Sequence, residues 1–228
     1  MKFKIIFILY IIIWNVIKKY LLNYLNLEDY SINIFKLTTN IVDIVLLLFI
    51  CTKTNIKIKT KSFSIFILYF LALFNLYYFF NVGGVEVGWF FFRCLSTGVF
   101  EELFFRVFIF SLLLEVFPKM KCNLTILLTS LIFGLFHSMN FIVMDYESVL
   151  LQIGLSIIIG MFFQQIYLKH ENILIVILLH SLINFNGMIK SFFNYEKSFN
   201  STPFILILLA LMLFLTFYNS HKSVIKSS

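Results

Sequence analysis

Apolar residues form long, nearly uninterrupted stretches along the chain, separated by short polar segments. A helix needs about 20 apolar residues to cross a bilayer core about 30 Å thick, and the sequence supplies eight stretches of roughly this kind. They cover residues 3–17, 32–50, 62–81, 89–117, 124–143, 149–168, 173–189 and 203–219. The pattern predicts an all-α polytopic membrane protein, a bundle of about eight transmembrane helices.

The first stretch has basic residues before it, as a signal peptide does, but no small-residue cleavage site follows it. It ends instead at the polar Asn15 and at Lys18 and Lys19, so we expect a retained first helix. No repeat or long linker divides the sequence. We therefore expect one transmembrane domain over residues 1–228.

Composition supports a membrane protein and excludes other classes. Apolar residues make up 61% of the 228 residues, charged residues only 13%, and the mean hydropathy is +0.98. Soluble domains average about 45–50% apolar and about 25% charged residues, so a soluble enzyme, a disordered chain and a nucleic-acid-binding protein are all disfavoured. Three scattered cysteines form no C-x-x-C pair and no complete disulfide framework.

Basic residues are distributed unevenly between the two sides of the predicted bundle. With the N-terminus in the cytoplasm, 11 lysines fall on inner segments and 4 in outer loops, namely Lys18, Lys19, Lys190 and Lys197, as the positive-inside rule requires. We expect a multi-pass plasma-membrane protein with both termini in the cytoplasm and no nucleic-acid partner. The Lys-, Asn- and Ile-rich composition indicates a bacterial source.

The fourth stretch contains charges that an apolar helix does not normally carry. Residues 100–106 are Phe-Glu-Glu-Leu-Phe-Phe-Arg, and a charge near the bilayer centre costs about 2.5 kcal/mol or more. Glu102 and Arg106 are four residues apart, in the favourable order for an intrahelical ion pair. Glu101 lies about 100° around the helix from Glu102 and has no such partner, so we expect it to serve another purpose.

Two later stretches each contain a histidine with a neighbour on the same helix face. Phe133 and His137 are four residues apart in the fifth stretch, and Asn140 follows about one turn later. His180 and Asn184 are four residues apart in the seventh. Either histidine alone is typical of polar contacts between transmembrane helices.

Taken together, four polar residues from three apolar stretches predict an enclosed, hydrated site: Glu101, His137, His180 and Asn184. A carboxylate and an imidazole activate water. A second imidazole and an amide can donate hydrogen bonds to an oxyanion. These are the requirements of amide hydrolysis.

The motifs Glu-Glu-x-x-x-Arg, Phe-x-x-x-His and His-x-x-x-Asn, in this order, resemble the CPBP family of intramembrane proteases. This CAAX-protease and bacteriocin-processing family, also called Abi, includes the Ras-converting CAAX endopeptidases. The resemblance covers residues 101–184, with all three motifs intact, and places the catalytic core at about 89–189. It implies that Glu101 and His137 position and activate water and that His180 and Asn184 stabilise the oxyanion. Four positions are expected to support the site: Glu102, Arg106, Phe133 and Asn140.

A metal site is the alternative to a glutamate-activated water. Carboxylates and imidazoles, such as those of Glu101, His137 and His180, form zinc sites with an open position. The family has been labelled metalloprotease on this basis. The sequence contains no His-Glu-x-x-His motif. We expect a site without metal, with zinc as the alternative.

The sequence therefore predicts an intramembrane endopeptidase that cleaves a membrane-associated peptide or protein. Peptide pheromones, bacteriocin leaders and membrane-protein tails are the expected substrates, and self-immunity against a bacteriocin fits the bacterial branch of the family. A catalytically inactive scaffold or immunity protein of the same fold is the main alternative. A transporter with a carboxylate proton relay is a further one, although neither repeat symmetry nor broken helices are evident.

Overall fold

Helices form nearly all of the described chain. The computed structural model describes residues 2–25, 29–60 and 84–192. Its elements are α1 (Lys2–Leu25), α2 (Asp29–Lys53), α3 (Gly84–Glu102), a π-helical segment (Leu103–Ile109), α4 (Phe110–Val116), α5 (Cys122–Phe136), a 3-10 segment (His137–Ile142), α6 (Tyr146–His170) and α7 (Ile173–Phe192). The described residues form no β-strand, only an isolated bridge between Thr60 and Asn172. The predicted all-α class is confirmed.

Four of the described helical stretches are long and apolar enough to cross a membrane: Lys2–Leu25, Ile34–Lys53, Cys122–Ile142 and Tyr146–His170. The fourth and seventh predicted stretches are helical too, within 84–116 and 173–192. The predicted stretches at 62–81 and 203–219 lie outside the described residues. The helix count of about eight therefore stays a prediction, while the membrane character of the protein rests on these apolar helices.

Helix α1 is longer than its apolar pattern predicts and includes two lysines that we expected in an outer loop. It continues to Leu25, so Lys18 and Lys19 are helical. Nζ of Lys18 lies 2.7 Å from a carboxylate oxygen of Asp43 on α2, and both side chains are buried. This pairing, which links α1 to α2, explains why a lysine is tolerated inside the helix. When these two lysines are no longer counted in the outer loops, the inner segments still carry more lysines than the outer loops.

The helix that carries the two adjacent glutamates changes its winding directly after them. All seven residues of the π-helical segment Leu103–Ile109 are buried, and such wide turns occur often at functional sites. Nε2 of Gln164 on α6 approaches the carbonyl oxygen of Arg106 at 3.4 Å. A side chain of a neighbouring helix therefore contacts a backbone group of this segment.

Small residues let the helices around the site approach closely. A Cβ atom on Gly98 of α3 would lie 2.5 Å from Oγ of Ser181 and 3.1 Å from the carbonyl oxygen of Ile177, both on α7. A Cβ atom on Gly134 of α5 would lie 2.9 Å from the carbonyl oxygen of Ile153 on α6. These contacts fix the register of α3 against α7 and of α5 against α6, and hence the relative positions of the polar side chains that these helices carry.

Candidate active site

Glu101 and Glu102 are adjacent at the end of α3 but have different surroundings. Glu102 is fully buried and accepts hydrogen bonds from Nε of Arg106 at 2.8 Å and from Nη2 at 3.4 Å. Glu101 retains 15% of its side-chain exposure and lines a cavity of about 600 Å³. One carboxylate is thus held by an ion pair, and the other meets the cavity.

His180 of α7 bridges the two carboxylates. Its Nδ1 lies 2.6 Å from Oε1 of Glu102, and because a carboxylate oxygen accepts, Nδ1 donates. Its Nε2 lies 3.5 Å from Oε2 of Glu101, beyond ordinary hydrogen-bond length but close enough for electrostatic interaction. His180 is buried and does not line the cavity, so it lies behind Glu101.

His137 begins the 3-10 segment and lines the cavity together with Glu101. Its Nδ1 lies 3.0 Å from the carbonyl oxygen of Phe133. Because a carbonyl oxygen only accepts, Nδ1 carries the hydrogen. A neutral His137 then has Nε2 as a hydrogen-bond acceptor, which suits a residue that holds or activates water.

Asn184 lies one turn beyond His180 on α7 and also lines the cavity. Glu101, His137 and Asn184 therefore line one cavity. His180 approaches Glu101 from the side that faces away from this cavity. All four residues predicted to be catalytic come together, although His180 does not face the cavity directly. Their chemical roles are argued below.

Phe133 supports three of the polar side chains through its ring. The Phe133 ring lies 5.0 Å from the ring of His137 and 6.0 Å from that of His180, centroid to centroid. The guanidinium carbon of Arg106 lies 4.5 Å from the centroid of the Phe133 ring, a cation–π distance. Phe133 therefore fills the space between the buried ion pair and both imidazoles.

Asn140, also predicted to support the site, belongs to a small polar network at the cavity wall. Its Nδ2 donates to Oε1 of Gln152 on α6 at 2.6 Å. Its Oδ1 accepts a hydrogen bond from Nζ of Lys19. Asn140 thus joins α1, the 3-10 segment and α6.

Residues 83–186 match the family model described as Rce1-like, type II CAAX prenyl endopeptidase. This segment is similar to the CAAX protease family. The matched Rce1-like segment contains α3, both non-α segments and all four predicted catalytic residues. The resemblance seen in the sequence motifs is confirmed. No curated protein and no solved structure matches the chain.

The zinc alternative would place Glu101, His137 and His180 around one ion. Within the described part of the chain, no three side chains of His, Cys, Asp or Glu are placed to hold one metal ion. Nδ1 of His180 is bonded to Glu102, and Nδ1 of His137 is bonded to a carbonyl oxygen. Both histidines therefore keep Nε2 for another partner, as histidines that bind a metal also do.

Sequence reasoning missed several residues that share the cavity with the Rce1-like motifs. Lys19 from α1 and Gln152 from α6 line the cavity and form hydrogen bonds with Asn140. Both lie outside the three motifs. The signal for Lys19 was its position directly after an apolar run, which we interpreted as the end of a helix. The described cavity wall carries one carboxylate, Glu101, and four cations: Lys18, Lys19, Lys36 and Arg93.

Proposed function

We propose that the protein is an intramembrane endopeptidase in which Glu101 and His137 activate a water molecule for attack on a peptide bond. The observation that carries this proposal is the shared cavity of Glu101, His137 and Asn184 within the Rce1-like segment. A cavity of about 600 Å³ has room for an extended peptide segment and water. Its polar lining supplies the groups that hydrolysis needs.

In the proposed reaction, the Glu101 carboxylate takes a proton from water as the water oxygen bonds to the scissile carbonyl carbon. Nε2 of His137 accepts the second water hydrogen in a hydrogen bond and so orients the nucleophile. The carbonyl π electrons move to oxygen, and the amide of Asn184 donates a hydrogen bond to that oxyanion. When the intermediate collapses, the C–N bond breaks and Glu101 returns its proton to the leaving nitrogen.

His180 acts in this proposal through Glu101. The sequence motifs imply a direct hydrogen bond from His180 to the oxyanion. Its contacts with Glu102 at 2.6 Å and with Glu101 at 3.5 Å support a positioning role instead. An imidazole held by Glu102 fixes one side of the Glu101 carboxylate, so that the other side meets water and substrate.

We propose as substrate a membrane-associated peptide or protein, since apolar helices surround the site and the family name specifies a prenylated C-terminal sequence. A bacteriocin leader, a peptide pheromone and the tail of a membrane protein all belong to this class, and self-immunity is a role that such cleavage could serve. We further propose a bacterial plasma membrane with both termini in the cytoplasm, on the basis of the lysine distribution.

The test compares wild type with Glu101→Gln, which preserves the shape of the side chain and removes the base. Each protein is reconstituted into liposomes and supplied with a quenched fluorescent peptide ending in a farnesylated CAAX sequence. The same proteoliposomes are also supplied with a membrane-protein extract, in which new amino termini are identified by mass spectrometry. Glu101→Gln should lose about 10²–10⁴-fold of the cleavage rate, and Asn184→Ala about 10²–10³-fold.

Glu147→Gln is the matched control, because Glu147 is exposed in the first turn of α6 and does not line the cavity. It should cleave as wild type does. Identical sets of new termini from wild type and Glu101→Gln would reject the protease function and favour the scaffold alternative. Metal analysis of the active wild-type preparation separates the two reaction types, since a stoichiometric metal would contradict the glutamate mechanism.

A further inference from the structure

Gln164 of α6 is a fully buried amide that belongs to none of the sequence motifs and does not line the cavity. Burying an amide in an apolar interior costs free energy unless the amide forms hydrogen bonds. Its Nε2 donates to the carbonyl oxygen of Arg106 at 3.4 Å, and its Oε1 has no partner in the described part of the chain. Among the described residues, the contact with Arg106 is therefore the hydrogen bond that compensates this buried amide.

The carbonyl group of Arg106 lies where the π-helical winding gives way to α-helix. In an α-helix this oxygen would accept from the backbone N–H of Phe110, four residues later. That N–H bonds instead to the carbonyl oxygens of Phe105 and Val107, so it passes over Arg106. A buried carbonyl oxygen that loses its α-helical partner needs another donor. Gln164 supplies one from the neighbouring helix.

The side chain of Arg106 connects this backbone contact to the candidate active site. Its guanidinium pairs with Glu102 at 2.8 Å, and Glu102 accepts from Nδ1 of His180 at 2.6 Å. Nε2 of His180 in turn lies 3.5 Å from Glu101. Because the winding of the segment determines where the Arg106 side chain begins, a change of winding would move the ion pair that holds His180 behind Glu101.

The face of α6 that carries Gln164 packs closely against the site. The ring of Phe163 lies 6.0 Å from that of His180, centroid to centroid. A Cβ atom on Gly160, about one turn before Gln164, would lie 3.2 Å from Cδ1 of Phe133. This close packing limits the movement of α6, so the Gln164 amide is held in its place beside the π-helical segment.

We propose that Gln164 is a positioning residue whose hydrogen bond holds the π-helical winding at Arg106. This winding keeps the buried ion pair and His180 in place beside Glu101. The inference rests on the proposed function for its effect on cleavage, because the position of Glu101 matters to the reaction only if Glu101 is the base. The hydrogen bond and its effect on the helix are tested without substrate.

The first experiment is infrared spectroscopy of detergent-solubilised protein that carries carbon-13 at its arginine carbonyl groups. The chain contains two arginines, Arg93 and Arg106, so the label reports two peptide groups. A spectrum of Arg93→Lys, in which Arg106 alone carries the label, assigns the bands. Gln164→Met keeps the length of the side chain and removes the donor. We expect the Arg106 band to move to higher frequency in this variant, because a carbonyl bond stiffens when it loses a hydrogen bond.

Gln165→Met is the matched control, since Gln165 is the next residue of the same helix and is only partly buried. It should leave both arginine bands unchanged. The carbonyl oxygen of Arg93 accepts from Oγ of Ser96 at 2.9 Å, so its band is an internal reference in every variant. An Arg106 band at the wild-type frequency in Gln164→Met overturns the proposal.

Stability decides a further outcome of the same experiment. If Gln164→Met does not fold, Gln164→Leu takes its place, because leucine also lacks a donor and fits an apolar interior. If neither variant folds while Gln165→Met does, Gln164 is a structural residue and the proposal is wrong.

Cleavage gives a second reading, taken at a temperature at which all variants are folded. Because Gln164 does not line the cavity, Gln164→Met should keep the wild-type KM. Its kcat should fall by up to about 10²-fold, as happens when reacting groups are slightly misplaced. A merely structural role would lower the melting temperature and leave kcat per folded enzyme at the wild-type value, which would overturn the positioning role.

The two proposals fail in different ways. If the Arg106 band shifts in Gln164→Met but Glu101→Gln cleaves as wild type does, the protease function is wrong. The positioning role then falls with it, while the effect of Gln164 on the helix stands. If Glu101→Gln is inactive and Gln164→Met has the kcat of Gln165→Met, the protease function stands and the positioning role is wrong.

Discussion

His180 on α7 donates a hydrogen bond from Nδ1 to Glu102 at the end of α3, across 2.6 Å. Glu102 is fully buried and His180 nearly so, and the same carboxylate pairs with Arg106. Glu102 is therefore the anchor that joins two helices of the site, whereas its neighbour Glu101 meets the cavity. Adjacent glutamates of one motif have separate physical tasks.

The anchoring role predicts opposite outcomes for the two conservative glutamate substitutions. Glu102→Gln removes the charge that compensates Arg106, and breaking a buried ion pair costs roughly 3–5 kcal/mol. The variant should show a much lower thermal-unfolding midpoint in detergent. Glu101→Gln should unfold at nearly the wild-type temperature, which makes it the internal control. Equal stability of the two variants would mean that Glu102 does not anchor α7.

Arg106 should be replaceable only together with Glu102. Arg106→Met leaves Glu102 buried without its guanidinium and should cost roughly 3–5 kcal/mol of unfolding free energy. The double variant Glu102→Gln, Arg106→Met removes both charges and should be clearly more stable than the sum of the single effects predicts. Additive losses in this double-mutant cycle, measured by denaturant unfolding, would show that the two side chains do not interact.

The contact between α5 and α6 gives a prediction with a glycine control. Alanine at Gly134 places a Cβ atom 2.4 Å from Cγ1 of Ile157 and 2.9 Å from the backbone oxygen of Ile153, so the helices must separate. Overpacking of this kind costs about 1–3 kcal/mol. Gly154 on α6 has no atom within 4 Å of such a Cβ, and Gly154→Ala should be neutral or slightly stabilising. Comparable melting temperatures for the two variants would contradict the packing.

Much of the fold could be predicted because apolar length alone determines a transmembrane helix. The stretch predicted at 149–168 is observed as α6, Tyr146–His170, and its extra residues at the N-terminal end follow a cap in which Asp145 accepts from the backbone N–H of Ser148 at 2.8 Å. Such caps are formed by polar residues, which a hydropathy pattern does not include in an apolar stretch. The helix ends therefore differ from prediction by a few residues.

The sequence predicted which residues form the site, but it predicted their arrangement less well. The cost of polar side chains in lipid predicted that Glu101, His137, His180 and Asn184 share one site, and the four-residue spacing placed His180 and Asn184 on one helix face. It did not predict that His180 lies behind Glu101. That position depends on the depth at which α7 packs on α3, set by the contact of Gly98 with Ser181. This register depends on both helices, so it cannot be predicted from the periodicity of either helix alone.

The buried pair of Lys18 and Asp43 shows why charge alone misplaced the end of α1, and it yields the last prediction. A lysine after an apolar run normally indicates the membrane surface, but the carboxylate at 2.7 Å allows Lys18 to stay inside.

Asp43→Asn should leave the ammonium group unpaired and lower the unfolding free energy by roughly 3–5 kcal/mol. The double variant Lys18→Met, Asp43→Leu should recover most of this loss, since an apolar pair of similar volume needs no compensation. Lys59→Met is the control, because the Lys59–Glu171 pair lies at the protein surface and such pairs add little to stability. If Asp43→Asn is no less stable than Lys59→Met in denaturant unfolding, Lys18 does not form a buried pair with Asp43.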